Sequence, residues 1–176
     1  MGPTRVNGLP AHVLLVHVVV MLVPLAAIAL VAFAAWPAAR HRLGVVMPLL
    51  ALAALISVPV TTHAGEWLEE RLPSNPAIRT HADLGDGLLP WAVGLFLVAA
   101  VLWVRHYRES RLDGPDDPGG HRRTRGRAGP SQWALIVLSL AVAVGSVVQV
   151  YRIGDSGAKA AWKGVATTQQ NGASGR

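Results

Sequence analysis

The chain has 176 residues, of which 52% are hydrophobic and only 15% are charged, and its mean hydropathy is +0.39. The net charge of +6 would suit a nucleic-acid-binding protein. However, most of the excess lies in one loop between apolar segments, which is typical of a membrane protein and argues against nucleic acid as a partner. The absence of cysteine excludes disulfides, iron–sulfur clusters, thioether-linked haem and cysteine catalysis.

The first apolar segment covers residues 13–35 and is closed by Trp36 and Pro37. A cleaved signal peptide has a shorter apolar region with several basic residues before it, whereas here only one basic residue, Arg5, precedes the apolar segment. We therefore expect an uncleaved transmembrane helix, because about twenty apolar residues are enough to cross the hydrocarbon core of a bilayer.

The second and third spans are predicted on either side of a polar connection. The second covers 44–62, and the mixed segment Glu66–Leu72 after it is typical of a short interfacial turn of helix. Thr80, with Asp83 three residues later, resembles a capping box and predicts the start of a third helix. The apolar span of that helix covers 84–104.

A basic loop, 105–130, follows the third span; it is rich in glycine and proline and has no periodicity, so we expect a mobile connection. The fourth span covers 133–153. We predict one four-span domain, 1–165, and a disordered tail, 166–176. The fold class is all-α, an integral membrane four-helix bundle in contact with the lipid bilayer.

The distribution of lysine and arginine predicts the orientation. The loops after the first and third spans hold nine basic residues against four acidic ones, whereas the rest of the chain holds seven against six. Basic loops stay in the cytoplasm. We therefore expect a multi-pass protein of the cell membrane with both termini on the extracytoplasmic side.

Four of the seven histidines are predicted to lie in one layer. Because the helices alternate in direction, the first span starts, the second ends and the third starts at the same face of the bundle. These ends carry His12, His17, His63 and His81. Ionisable groups in or near hydrocarbon are costly and usually face a partner or a cavity, so this layer is the candidate site. The other histidines, His41, His106 and His121, lie in the basic loops.

Two chemistries are compatible with this layer. A haem b needs two axial nitrogens from facing helices, and we select His17 and His81, with His12 close by. Alternatively, His63, Glu66 and His81 would bind a divalent metal such as zinc, since His63 and Glu66 would share a helical face if the second helix continues through Gly65.

Three stretches of the chain resemble the DUF2231 family of predicted bacterial membrane proteins. They are residues 9–17 (LPAHVLLVH), residues 63–69 (HAGEWLE) with 81–86 (HADLGD), and residues 151–162 (YRIGDSGAKAAW). The second and third stretches are similar to actinobacterial members. The resemblance implies a four-helix integral membrane protein of uncharacterised function. The chain departs from the family pattern at Ala11, where proline is usual, and at Asp155, where histidine is common and would supply a further ligand.

The leading functional hypothesis is a haem- or metal-binding redox component of the membrane. The alternative is a non-catalytic structural or accessory subunit that packs beside another membrane protein or a second copy of itself. In that case the polar layer would only supply hydrogen bonds between helices, each worth about 0.6 kcal/mol on average.

Overall fold

The computed structural model describes residues 5–6, 9–71, 76–112 and 129–173. Its regular elements begin with two short strands that pair antiparallel, followed by helices. In chain order they are β1 (Arg5–Val6), β2 (Leu9–Pro10), α1 (Ala11–Ala35), α2 (Pro37–Leu43), α3 (Val46–Glu69), α4 (Pro76–Asp86), α5 (Leu89–Leu112) and α6 (Pro130–Ala173).

The four long helices pack in the order α1, α3, α5, α6 around a common core, with α6 closing the ring against α1. Large side chains such as Leu30, Phe33 and Leu95 are fully buried where the helices meet. Alanines separate them, and small residues let membrane helices approach closely; those at 0% exposure are Ala26, Ala51, Ala54, Ala92 and Ala99. The predicted all-α four-helix bundle is confirmed.

The outer surface of the bundle is apolar. Met21 and Ile28 of α1 and Val137 of α6 are each more than 60% exposed. The segments Leu14–Ala35, Val46–Glu69, Pro76–Arg111 and Pro130–Lys159 are each long and apolar enough to cross a bilayer. Because both the inside and the outside of the bundle are apolar, this is a multi-pass membrane protein whose outer side chains contact lipid.

A tight connection joins α1 to α3 through α2. The Arg40 side chain donates from Nε to the Phe33 carbonyl at 2.9 Å and from Nη2 to the Ala34 carbonyl at 2.6 Å, which supplies donors to the last turn of α1. Gly44 then ends α2 with a positive φ of 43°, a conformation that side-chain-bearing residues rarely adopt. The turn at Gly44 returns the chain into α3.

Two helices extend beyond the predicted spans. α3 continues past residue 62 to Glu69, and the Thr61 and Thr62 hydroxyls donate back to carbonyls of their own helix. α6 continues to Ala173, so residues 166–173 of the predicted disordered tail are helical. The remainder of that tail lies outside the described residues. The predicted basic loop begins within α5, and its residues 113–128 also lie outside the described part.

The third span is interrupted near its start. α4 ends at Asp86, and α5 begins at Leu89 with Pro90 in its first turn, where the missing N–H of proline is tolerated. At this break the Leu88 amide bonds to the Gly85 carbonyl instead of continuing the α-helical pattern. The Leu84 carbonyl accepts a 2.7 Å hydrogen bond from Gln149 Nε2 of α6. A buried side chain therefore supplies a hydrogen-bond donor to a carbonyl at the break.

Candidate histidine cavity

A cavity of about 350 Å³ lies at the end of the bundle where α1 begins and α3 ends, here called the histidine end. This volume falls in the range of small-molecule sites in proteins. Its walls are mainly aliphatic and come from α1, α3 and α6; they include Val16, Val19, Val20, Val58, Val150 and Ile153. Two imidazoles, His12 and His81, also line it.

His12 is held against the end of α3. Its Nδ1 lies 3.2 Å from the Thr61 carbonyl oxygen, and its ring lies over Gly65, one turn further along α3. A Cβ at Gly65 would stand 3.0 Å from His12 Cε1, tighter than an ordinary contact. The glycine therefore leaves the space that the imidazole occupies.

His81 is held against α6 in the same way. Its Nδ1 lies 3.2 Å from the Ile153 carbonyl oxygen and 3.0 Å from Ser156 Oγ, and Ser156 Oγ itself donates to the Ile153 carbonyl at 2.8 Å. A Cβ at Gly157, one turn after Ile153, would stand 3.1 Å from His81 Cε1. In both halves of the chain, a histidine Nδ1 bonds to a backbone carbonyl, and the ring lies over the glycine four residues after that carbonyl's residue.

These contacts determine which ring nitrogen carries the proton when each imidazole is neutral. A carbonyl oxygen only accepts hydrogen bonds, so Nδ1 must donate in both His12 and His81. In a neutral imidazole the proton then sits on Nδ1 and Nε2 keeps its lone pair. Within the described residues neither Nε2 has a hydrogen-bond partner. A donor from Nδ1 to a backbone carbonyl is also the usual support of a histidine that binds a metal through its other nitrogen.

The environment of His12 favours its neutral form. Burial lowers the pKa of His12 from its ordinary value of 6.5; the hydrogen bond to the Thr61 carbonyl opposes this, and the charge of His81 lowers the pKa further. Both imidazoles line the same cavity, so a positive charge on His81 would disfavour protonation of His12. His12 is therefore neutral near pH 7 and has its Nε2 lone pair available.

Carboxylates surround the mouth of the cavity. Glu66 and Glu69 of α3 and Asp83 and Asp86 of α4 all contribute to its lining, and each is exposed or half-buried. Four acidic groups around one opening disfavour the entry of small anions. The cavity therefore combines an apolar interior, two imidazole side chains and a negative rim.

The sequence predicted His17 and His81 as a pair, whereas the structure brings His81 to the same cavity as His12. His17 is five residues after His12, which corresponds to a rotation of about 140° around a helix with 3.6 residues per turn. It lies on an exposed face of α1 and is not among the residues that line the cavity. The prediction considered depth in the membrane but not the direction in which each ring points.

The three residues of the alternative metal site do not form one group. His63 and Glu66 do share a face of α3, with Nδ1 3.4 Å from Oε2, but these side chains are 89% and 59% exposed. His81 belongs to α4 and bonds to α6 instead. Within the described residues, no group of three or more histidine, aspartate and glutamate side chains has an arrangement that could hold a metal ion.

Sequence reasoning did not identify Gly65, Gly157 and Ser156 as part of the site. The predicted spans ended at residues 62 and 153, before both glycines, so neither glycine had a predicted helical context. In the structure each glycine lies inside a helix that continues beyond it, where glycine costs about 1 kcal/mol relative to alanine. A glycine in the middle of a membrane helix indicates close approach of another group. Here that group is an imidazole in both cases.

The histidine cavity lies inside a segment that a family model recognises. The DUF2231 model, described as a predicted membrane protein, matches residues 8–170, which include both histidines and both glycines. The chain belongs to the DUF2231 family. Comparison of this DUF2231 protein with curated proteins and with solved structures gives no match. The family description agrees with the four membrane-spanning segments of the bundle.

Proposed function

We propose that this DUF2231 protein is a redox component of the membrane that holds a haem b through Nε2 of His12 and of His81. The observation that supports the proposal is the matched support of the two rings. Each Nδ1 donates a hydrogen bond to a backbone carbonyl, so the Nε2 nitrogens are the ones available to ligate a metal at this apolar cavity. Two facing imidazole nitrogens are what axial ligation of haem b requires.

The number of donors favours haem over a bare divalent metal. A protein zinc site needs three or four side-chain ligands, and within the described residues no such group is present. Haem supplies four of its own nitrogens and needs only two from the protein. The aliphatic walls would suit a tetrapyrrole, whereas Glu66, Asp83 and their acidic neighbours at the rim would repel its carboxylates.

Each part of the site has a separate task in this proposal. The bound group would supply one-electron transfer. The Thr61 and Ile153 carbonyls orient the rings, Gly65 and Gly157 provide room for them, and the valines of α1 keep water out of the interior. With both basic loops in the cytoplasm, the histidine end and both termini would face the extracytoplasmic side of the cell membrane.

The second candidate is a non-catalytic accessory subunit that packs beside another membrane protein or a second copy of this chain. A specific observation favours it, because the hydrogen bonds of His12 and His81 already join α1 to α3 and α4 to α6. In this case the two imidazoles only hydrogen-bond neighbouring helices together, and their Nε2 nitrogens bind no ligand.

Asparagine substitutions separate the two candidates. The side-chain amide of asparagine can reproduce the Nδ1–H donor of histidine but has nothing equivalent to Nε2. The test is a visible absorption spectrum, with elemental analysis, of full-length protein expressed with ample haem and metal. We expect a haem b spectrum from the wild type, its loss in His12→Asn and in His81→Asn, and its retention in His17→Ala and His41→Ala.

The outcomes distinguish the proposals directly. A colourless, metal-free wild type rejects the redox proposal and leaves the accessory role. A spectrum that survives both asparagine substitutions also rejects His12 and His81 as ligands. If His17→Ala abolishes the spectrum while His12→Asn retains it, the pair predicted from the sequence is correct and the pair proposed here is not.

A further inference from the structure

A second, smaller cavity of about 60 Å³ lies at the opposite end of the bundle, here called the basic end, where α1 and α5 finish and α6 starts. Its lining divides by chemistry. Arg40, Arg105, His106, Glu109 and Gln132 are polar, whereas Phe33, Ala34, Leu102, Leu135 and Ile136 are apolar. The polar residues lie nearer the basic end along the chain and the apolar ones about one turn or more deeper, so a ligand here would meet cationic and amide donors towards the surface and hydrocarbon further in.

The two arginines are in different situations. Arg40 already donates from Nε and Nη2 to the carbonyls that end α1. Arg105 is only half-exposed, and within the described residues it makes no hydrogen bond and no ion pair. A guanidinium has five N–H donors in a planar fork suited to phosphate, so Arg105 is the group that an anionic ligand would engage.

The imidazole beside them is held in a fixed position. His106 packs edge-on against Phe33, with ring centroids 6.0 Å apart, and against His41 of α2, with centroids 5.3 Å apart. These contacts tie the end of α5 to α1 and α2. Polar groups from three helices therefore meet at this cavity, and Glu109 is the one carboxylate in its described lining.

Aromatic residues mark the depth of this cavity in the membrane. Trp36 and Trp133 are 68% and 59% exposed at the junctions next to it. Trp103 stacks on Tyr107 with ring centroids 5.6 Å apart, and each is two residues from Arg105 on α5. Exposed tryptophan and tyrosine side chains concentrate at the level of lipid headgroups. The arginines of the basic end therefore lie where phospholipid phosphates are found.

We propose that this cavity binds the phosphate-bearing headgroup of an anionic phospholipid, with Arg105 as its principal donor and Arg40, His106 and Gln132 around it. The leucine and isoleucine side chains deeper in the cavity contact the start of the acyl chains. The mixed lining favours a lipid over free phosphate, which would gain nothing from the apolar wall. Basic pockets between membrane helices are known to take such headgroups.

The test uses the full-length protein in a mild detergent, titrated with phosphatidylglycerol, phosphatidylcholine or inorganic phosphate. Thermal unfolding and native mass spectrometry measure the stabilisation and the number of lipids that stay bound. Arg105→Gln removes the charge without removing a described hydrogen bond. Arg108→Gln is the matched control, because Arg108 is exposed on the same helix and does not line the cavity.

We expect one phosphatidylglycerol to remain bound per wild-type chain and to raise the unfolding temperature, with little effect from phosphatidylcholine or phosphate. Arg105→Gln should weaken this binding about tenfold or more, since a hydrogen bond between charged groups is worth about 1.5–3 kcal/mol. Arg108→Gln should leave most of it. Equal effects of the two substitutions would show unspecific charge attraction, and stabilisation by inorganic phosphate alone would show a free-anion site; either result overturns the proposal.

Discussion

Replacing Gly157 by alanine tests whether the space over this glycine positions His81. The new Cβ would lie 3.1 Å from His81 Cε1 and 3.3 Å from Nδ1, so the ring must move away from α6. Movement weakens the hydrogen bonds to the Ile153 carbonyl and Ser156, at a cost of about 0.6 kcal/mol for an average bond between membrane helices and up to about 1.5 kcal/mol. Alanine also stabilises a helix by about 1 kcal/mol relative to glycine. The two effects nearly cancel.

Gly154 is the matched control on the same helix, because a Cβ there meets nothing within 4 Å. Gly154→Ala should therefore raise the free energy of unfolding by about 1 kcal/mol, whereas Gly157→Ala should leave it almost unchanged. Both are measured by denaturant titration in detergent, followed by circular dichroism. Haem titration of the two variants should show weakened binding only in Gly157→Ala.

Equal stabilisation by the two alanines would refute the reasoning, since the ring would then have room to accept the methyl group. Gly65→Ala supplies an independent repeat of the test. Its Cβ would lie 3.0 Å from His12 Cε1, so the same near-cancellation is expected in the other half of the bundle.

Two further predictions concern packing and pH. Gly145→Ala would place a Cβ against three ring atoms of Trp91, closer than side-chain atoms approach one another. We therefore expect a loss of about 1–3 kcal/mol of stability and a shifted tryptophan emission; unchanged emission would contradict the contact. Burial lowers the pKa of His12 in the folded protein below the ordinary value of 6.5. Between these two pKa values the unfolded chain therefore binds more protons than the folded one. The free energy of unfolding should fall as the pH drops from about 6.5 through the lowered pKa of the folded state. His12→Asn, which cannot titrate, should reduce this slope in pH-dependent unfolding, and an unchanged slope would assign it to other groups.

The sequence was sufficient for the four-helix membrane bundle because each span is a long apolar run, and such runs have few alternatives in a chain of this size. It also placed His12 and His81 at the same end of the bundle. It did not establish which rings share a cavity, since His17 and His12 have similar depth but different directions on α1. That choice depends on helix rotation, and rotation is set by the packing of α1 against α3 and α6.

Helix ends were the less predictable part of the fold. The fourth span was predicted to end at residue 153, yet α6 runs on through Gly154. Gly44 is the one described glycine with a positive φ. The Gln149 amide was visible in the sequence as a polar group near the end of the fourth span. Its role depends on the break between α4 and α5, which frees the Leu84 carbonyl, and no local pattern in α6 indicates that partner.

The sites that hold His12 and His81 show whether the departure of this chain from its family at Asp155 affects the cavity. Asp155 precedes Gly157 by two residues, as His63 precedes Gly65, so the two positions are equivalent in the two halves. Both face outward: His63 is 89% exposed beside Glu66, and Asp155 is 44% exposed and bonds to Lys159 at 2.6 Å. A histidine at 155 would therefore join the outer surface of α6 rather than the cavity. The exchange leaves the Ile153 carbonyl, Ser156 and Gly157 in place, so the pair proposed here does not depend on it.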